Sequence, residues 1–317
     1  MAQQLATPHG LIVLNKPVGL SSAKAVGIIR RFFGGAKTGH AGTLDPLACG
    51  VLPIAVGEAT KTISYVATAE KSYQFTVRWG AETQTDDSEG EITRTSEYCP
   101  SGDEIKAILP QFTGLIQQVP PIFSAVKVKG RRAYVLARDR RNPSDKSADI
   151  VLNSREVMIN KFEITVHAGQ QTTFAVRCGK GTYIRALARD IGRALGSAAH
   201  VVFLQRRAVG RFKIEDAIEL DFFEKGVYDM RAHDYVIPIM TVLDDIPALA
   251  ITEQEAQKLR FGQAFNLDHD RSHMFLAVAA ASGKTAPVTG LAAFGEQPIA
   301  LVRLEKQVVS PVRVLNL

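Results

Sequence analysis

Short apolar runs separated by polar and glycine-rich turns divide this chain into candidate strands and helices. Continuous apolar runs predict buried strands at 10–15 and 51–56, and apolar residues at alternate positions predict a half-buried strand at 72–79. Two further runs, at about 154–166 and 171–178, predict an antiparallel pair of strands. Strands that mix with helices without regular β-α-β alternation favour an α+β fold around a mixed or antiparallel sheet.

Helices are predicted where apolar residues recur every three or four positions behind a capping residue. Ser21 or Ser22 caps a helix that extends to about Phe33, and Ser101 with Glu104 has the spacing of a capping box. Further helices are predicted at 59–66, 182–195 and 252–260. The other local predictions are a strand after the double proline, within 119–127, and an exposed, mobile segment at 138–147.

A boundary between two domains is predicted at 235–247, where two prolines bracket a short connection. The first domain then covers residues 1–240 and the second covers 247–317. The second domain is predicted to contain four strands, at 275–279, 289–294, 298–304 and 311–316.

Composition excludes several classes of protein. The 317 residues carry a net charge of +6, which fits a polyanionic partner such as RNA but does not establish one. No apolar run approaches the ~20 residues that span a bilayer, and the N-terminus lacks the layout of a signal peptide. The 3 cysteines form no C-x-x-C pair, which argues against a zinc ribbon or a disulfide framework. We therefore expect a cytoplasmic protein without a metal or a membrane partner.

The most informative segment is a loop at 37–50 that carries a single carboxylate, Asp45. His40 precedes it, Pro46 follows it, and Gly42 and Gly50 lie on either side. Glycine and proline let a backbone approach a ligand closely and fix the direction of the few side chains present. An isolated Asp before Pro is nevertheless most often a turn residue.

Two other interpretations of this loop are weaker. Gly34 and Gly39 have the spacing of a phosphate-binding loop, but His40 stands where the Walker pattern requires lysine. Cys49 suggests a thiol mechanism, but no base accompanies it in the sequence.

The loop resembles the motif G-H-x-G-x-L-D-P-x-A-x-G-V-L-P of the TruB-type tRNA pseudouridine synthases, which it matches over residues 39–53. Five further segments match motifs of that family in the same order: 15–22, 71–73, 118–127, 180–192 and 199–207. The C-terminal segments 290–294, 299–302 and 311–315 resemble a PUA domain, a small β-barrel-like RNA-binding module. The resemblance implies a pseudouridine-synthase fold followed by a PUA-like domain.

The resemblance also implies an activity, which is to convert a T-loop uridine of tRNA, at position 55, to pseudouridine. Asp45 is then the nucleophile, Arg185 its partner, and Tyr73 the residue that stacks on the flipped uracil and helps to remove the C5 proton. Whether Asp45 attacks C1′, attacks C6 or assists glycal formation is left open. The reaction is an isomerisation, so it calls for no redox cofactor, nucleotide or metal.

The remaining site residues are expected to bind the RNA. His40 fills the gap left by the flipped base, Tyr183 and Leu204 form pocket walls, and the Gly42 backbone approaches the ligand. Three lysines are expected to contact phosphates: Lys16, Lys37 and Lys180.

Two other functions use the same scaffold: a non-catalytic RNA-binding or RNA-folding protein, and a synthase that depends on a guide-RNA complex. The joint presence of Asp45, Tyr73 and Arg185 favours catalysis. The absence of long basic tails favours a stand-alone enzyme without an obligate protein partner.

Overall fold

The computed structural model describes residues 7–139, 151–225, 230–281 and 287–317, which are organised around two main β-sheets. The strands are β1 (Gly10–Lys16), β2 (Thr38–His40), β3 (Cys49–Val56), β4 (Lys71–Trp79), β5 (Ala81–Thr83), β6 (Ile92–Thr95), β7 (Gly114–Gln118), β8 (Lys127–Val128), β9 (Arg131–Arg132), β10 (Arg155–Ala168), β11 (Gln171–Cys178), β12 (Ala199–Val209), β13 (Phe212–Lys213), β14 (Ile218–Glu219), β15 (Ile237–Pro238), β16 (Ala248–Ala250), β17 (Phe265–Asn266), β18 (Val288–Phe294), β19 (Gln297–Glu305) and β20 (Val308–Val314). The α-helices are α1 (Ser22–Phe32), α2 (Ile63–Thr68), α3 (Gly102–Ile108), α4 (Ala133–Asp139), α5 (Ile184–Ala194), α6 (Leu220–Lys225), α7 (Ile239–Val242), α8 (Glu253–Arg260) and α9 (His269–Ala281).

The first sheet is mixed, and its strand order is β14-β1-β3-β12-β4-β11-β10-β7. Strand β12 lies in the middle of this order, where it pairs antiparallel with β4 and parallel with β3. The centre of the sheet therefore brings together strands that are far apart in sequence. This arrangement confirms the predicted α+β fold with a mixed sheet.

The main core lies between this sheet and helices α1 and α5. Strand β4 alternates as predicted, with Phe75 fully buried and in contact with Phe174 of β11, their ring centroids 5.2 Å apart. Ile29 of α1 and Leu187 of α5 are both 0 % exposed in the same cluster. Since each fully buried large apolar side chain contributes roughly 1.5–3 kcal/mol, these contacts fix the two helices firmly on the sheet.

The second sheet is C-terminal and has five strands in the order β16-β18-β19-β20-β17. It has its own core with α8, where Leu259 packs with Val302. It also contributes Leu301 to a cluster that contains Leu11 and Val13 of the first sheet. The five-stranded sheet is consistent with the predicted PUA-like domain, and an apolar contact joins it to the rest of the molecule.

Most of the predicted elements are confirmed. The strands at 10–15, 51–56, 72–79 and 171–178 are present, Ser21 caps α1, and Ser101 and Glu104 form the capping box of α3. The predicted helix at 59–66 is divided into a 3-10 helix, Gly57–Thr62, and α2.

Two predicted strands are wrong. The segment 275–279 belongs to helix α9, in which Phe275 and Ala279, four residues apart, both face the C-terminal core. A short apolar run fits either a strand or a buried helix, and here the helical spacing decides. After the double proline the chain bends, and only β8 is extended.

The segment 138–147, predicted to be mobile, lies mostly outside the described residues. Within the described part of the chain, none of the helices has the length and apolar character needed to cross a membrane.

Candidate active site

A cavity of about 600 Å³ opens over the centre of the first sheet. It brings together most of the predicted site residues, which come from β2 and the loop after it, from β4, from the start of α5 and from β12: His40, Gly42, Asp45, Tyr73, Tyr183, Arg185 and Leu204. Residues that are widely separated in sequence therefore share one pocket.

The Asp45 loop is held in place by hydrogen bonds on both of its sides. The buried hydroxyl of Ser22 accepts from the Leu44 amide and donates to the Leu44 carbonyl, both at 2.8 Å. On the other side, the Arg206 guanidinium donates to the carbonyls of Gly42 and Val51 at 3.0 and 2.7 Å. The backbone that carries the carboxylate is thus fixed before any ligand enters.

Asp45 and Arg185 form an ion pair at the pocket wall, with Arg185 Nε 2.9 Å from Asp45 Oδ2. The Asp45 side chain is 37 % exposed, whereas that of Arg185 is 4 % exposed. The other guanidinium nitrogens donate to the carbonyls of Thr85 and Phe123 at 2.5 and 3.0 Å. Arg185 therefore engages Asp45 through one nitrogen only, and the backbone fixes the direction of its guanidinium.

A buried glutamine fixes the start of helix α5, which carries Arg185. Gln118, at the end of β7, accepts from the Tyr183 amide at 2.8 Å and donates to the Tyr183 carbonyl at 3.1 Å. Its side chain thus pairs with the backbone at the residue that precedes the helix. The double proline follows Gln118 closely and leads to Phe123, whose carbonyl accepts from Arg185.

The acidic loop at 86–91 lies outside the segments that match the family motifs, yet it contacts Arg185 in the structure. Asp87 Oδ2 lies 3.5 Å from Arg185 Nε, and the Asp87 side chain is 3 % exposed. One and two turns further along α5, Arg189 pairs with Asp86 at 3.0 Å and Arg193 with Glu82 at 2.8 Å. The four-residue spacing of these arginines was visible in the sequence, since residues four apart share one face of a helix.

Tyr73 lies on β4 and is 8 % exposed. Burial raises the pKa of its phenol, and the positive charge of Arg206, its cross-strand partner in β12, opposes that shift. Leu204, two residues before Arg206, is 5 % exposed and lines the same pocket. The pocket thus presents an aromatic ring and an aliphatic side chain, both suited to contact with a planar base.

His40 and Tyr183 lie on other parts of the wall. His40 is half-buried, its Nδ1 has no hydrogen-bond partner among the described residues, and burial lowers its pKa. The guanidinium carbon of Arg155 lies 4.7 Å from the centroid of the Tyr183 ring, a cation–π arrangement.

The three lysines predicted to contact phosphates differ in their placement. Lys16 is 0 % exposed and donates to two backbone carbonyls, which disagrees with a phosphate contact. Lys37 and Lys180 are exposed and lie outside the set of residues that line the cavity.

Burial raises the pKa of the Cys49 thiol, and the nearby charge of Lys16 opposes that shift only in part, which argues against a thiol nucleophile. Across the described ranges, no three side chains of His, Cys, Asp or Glu come together in a way that could hold a metal ion.

Two family models match adjoining parts of the chain. The model for the N-terminal domain of TruB family pseudouridylate synthases matches residues 30–184, and the model for the tRNA pseudouridylate synthase B C-terminal domain matches residues 185–246. Together they cover every residue that lines the cavity except Ser21, Ser22 and Ala23.

Bacterial relatives match most of the chain, and each is a tRNA pseudouridine synthase B. The protein from Rhodospirillum rubrum is 44 % identical over 98 % of this chain and 97 % of its own length. The protein from Caulobacter vibrioides is 42 % identical over 97 % of this chain and 96 % of its own length. The protein from Bradyrhizobium diazoefficiens is 48 % identical over 81 % of this chain and 74 % of its own length.

Solved structures share the fold at lower identity. A chain of an H/ACA RNP bound to a substrate RNA containing 2′-deoxyuridine superposes with a TM-score of 0.67 at 21 % identity, covering 97 % of this chain and 85 % of its own. A chain of a Cbf5-Nop10-Gar1 complex gives 0.68 at 22 % identity, with the same coverage. Sequence identity over almost the whole length, together with this fold, shows that the chain belongs to the TruB family of pseudouridylate synthases.

Proposed function

We propose that this protein isomerises a uridine of tRNA to pseudouridine, and that its target is the T-loop uridine at position 55. The observation that carries the proposal is the Asp45 carboxylate, held 2.9 Å from a buried Arg185 in a pocket that Tyr73 also lines. Relatives with the activity of tRNA pseudouridine synthase B support the choice of tRNA as the substrate.

The geometry suits a reaction on a flipped-out nucleotide. Asp45 is exposed enough to reach the ligand, and the buried guanidinium of Arg185 holds its carboxylate in place at 2.9 Å. Stacking of uracil on Tyr73 supplies about 1–3 kcal/mol, which offsets part of the few kcal/mol needed to extrude a nucleotide. A loop nucleotide suits this pocket because its base is already poorly paired.

The test replaces the nucleophile without changing its shape. We expect Asp45→Asn to abolish pseudouridine formation while tRNA affinity stays within a few-fold, since the amide still fills the site but cannot act as a carboxylate nucleophile. The T-loop product is mapped by nuclease digestion and mass spectrometry. Asp270→Asn is the matched control, because the Asp270 side chain is 97 % exposed. Full activity in Asp45→Asn would refute the assigned role.

We further propose that the enzyme acts without a guide RNA or a protein partner, and that residues 247–317 form a PUA-like domain that adds RNA affinity. A reaction that contains only bare tRNA transcript and the purified protein distinguishes the alternatives. A stand-alone enzyme modifies this substrate, a guide-dependent enzyme modifies it poorly, and a pure RNA-folding protein binds it without reaction.

A further inference from the structure

Three buried cations surround the floor of the pocket. Lys16, Lys71 and Arg206 are 0 %, 7 % and 1 % exposed. Each donates to two backbone carbonyls: Lys16 to Pro17 and Leu20, Lys71 to Ala67 and Ala69, and Arg206 to Val51 and Gly42. Lys71 and Arg206 line the cavity itself. A Cβ at Gly42 would lie 3.4 Å from Arg206 Nη1 and 3.8 Å from Lys71 Cε, so both side chains lie close to this glycine.

Within the ranges that the structure describes, these charges have no partner of opposite sign at contact distance. Among the described residues, none of the three forms an ion pair with a carboxylate, whereas Arg185 and Arg189 in the same region are both paired. Burying a charge without a counter-ion costs several kcal/mol. Burial accordingly lowers the pKa of Lys16 and of Lys71 to about 8, and the neighbouring Arg206 contributes to both shifts. The pocket is therefore built with an excess of positive charge.

The proposed reaction moves a negative charge onto the base. When the N1–C1′ bond breaks, its electron pair stays on the uracil, which becomes an anion. The carboxylate of Asp45 loses its charge in the same step, either by bonding to C1′ or by accepting the C2′ proton. If the carboxylate instead adds to C6, the charge passes to C5 and O4 of the ring. Every route therefore creates an anionic uracil from a neutral one.

We propose that Lys71 and Arg206 stabilise this anionic uracil during the reaction, with Lys16 adding to their field from beneath the Asp45 loop. This inference rests on the proposed function. Fixed charges aimed at the position where charge develops lower a barrier without reorganisation, and their effect is largest in a site that excludes water. The cost of burying the cations is then recovered in the transition state.

The first measurement is the single-turnover rate of the full-length protein on tRNA transcript. We expect Lys71→Met, which keeps the aliphatic stem, to slow the reaction by about 100-fold or more while tRNA affinity changes little. Arg206→Lys is expected to retain more activity than Arg206→Gln, because it keeps the charge. The matched controls are Lys161→Met and Arg207→Gln, whose parent side chains are 57 % and 44 % exposed. Wild-type rates in Lys71→Met and Arg206→Gln would overturn the proposal.

A second measurement separates charge stabilisation from structural damage, which matters because Arg206 also holds the Asp45 loop. Fluorine at C5 withdraws electrons and makes the uracil a better leaving group, so a 5-fluorouridine target needs less help from the cations. To measure cleavage of the N1–C1′ bond, the tRNA is digested to nucleosides, which are separated by chromatography and identified by mass. We expect the defect of Lys71→Met to shrink at least tenfold on this substrate.

An equal defect of Lys71→Met on uridine and 5-fluorouridine would overturn the inference, since a distorted pocket slows both. Failure of the wild-type protein to modify normal tRNA would instead refute the proposed function, so the two failures are distinguishable.

Discussion

At the scale of single residues, Arg185 lies between two carboxylates with different surroundings. Asp45 is 37 % exposed, whereas Asp87 is 3 % exposed and accepts from the Thr85 hydroxyl and the Glu89 amide. Arg185 therefore keeps a buried carboxylate partner, while the exposed carboxylate is accessible to a ligand. This division leaves Asp45 free to change its charge without leaving Arg185 unpaired.

A double-mutant cycle tests this arrangement. Arg185→Met leaves Asp87 buried without its cation, and we expect it to lower the free energy of unfolding by about 3–5 kcal/mol. Adding Asp87→Asn removes the uncompensated charge, so the double variant should recover part of that loss. Urea unfolding of the two single variants and the double variant gives the coupling energy. Additive losses would show that the two side chains do not interact.

The residues that carry the proposed chemistry were predictable from the sequence, including the pair of Asp45 and Arg185, but the other partners of Arg185 were not. Asp45, Tyr73 and Arg185 stand in recognisable motifs, and all three line the pocket. Asp87 and Thr85 lie in a loop whose acidic composition is typical of a solvated turn, and nothing local shows that α5 packs over it. Burial of an ion pair depends on tertiary contacts that a single segment does not encode.

At the scale of elements, the parallel pairing of β3 with β12 depends on a glycine. Gly50 has φ +101°, and a Cβ there would lie 2.3 Å from the Arg206 carbonyl oxygen. Gly19 provides a control, since it has φ +82° but a Cβ added there would meet no atom within 4 Å. The two glycines thus share a backbone preference and differ in the space around them.

Alanine substitutions separate the two effects. We expect Gly19→Ala to lower the free energy of unfolding by about 1–2 kcal/mol through the left-handed conformation alone. Gly50→Ala should cost a further ~1–3 kcal/mol for the steric conflict and should also reduce activity, because Arg206 holds the Asp45 loop. Chemical denaturation and the single-turnover rate measure the two consequences. Equal stability of the two variants would contradict this account.

Strand β12 shows why part of the fold could not be predicted. Its apolar start and its polar end at 205–207 match no strand period, and no strand was predicted there. In the structure β4 and β3 flank it, and the buried Arg206 donates to the Gly42 carbonyl of the Asp45 loop and to the Val51 carbonyl of β3. By contrast, β1 and β3 are continuous apolar runs, which predict buried strands in any context.

At the scale of the whole molecule, the two sheets share an apolar cluster, and hydrogen bonds join the C-terminal segment to the 3-10 helix that follows β3. Leu301 of β19, 0 % exposed, packs in one cluster with Leu11 of β1. Near the C-terminus, Lys61 donates to the Val314 carbonyl, and Glu58 accepts from the Asn316 amide, both at 2.7 Å. Contacts of this kind predict that the C-terminal sheet and the pocket-bearing sheet unfold together.

The single tryptophan allows this cooperativity to be measured. Trp79 lies at the end of β4 in the first sheet and is 2 % exposed, so its fluorescence reports on that sheet alone. Leu301 lies in the other sheet. Its replacement by alanine should lower the free energy of unfolding by about 2–5 kcal/mol because of the cavity it leaves. If the sheets form one cooperative unit, Leu301→Ala lowers the midpoint temperature of unfolding equally by Trp79 fluorescence and by calorimetry. Each method then shows a single transition. An unchanged Trp79 transition, with a separate calorimetric peak at lower temperature, would show that the C-terminal sheet unfolds independently and that the shared cluster couples the two only weakly.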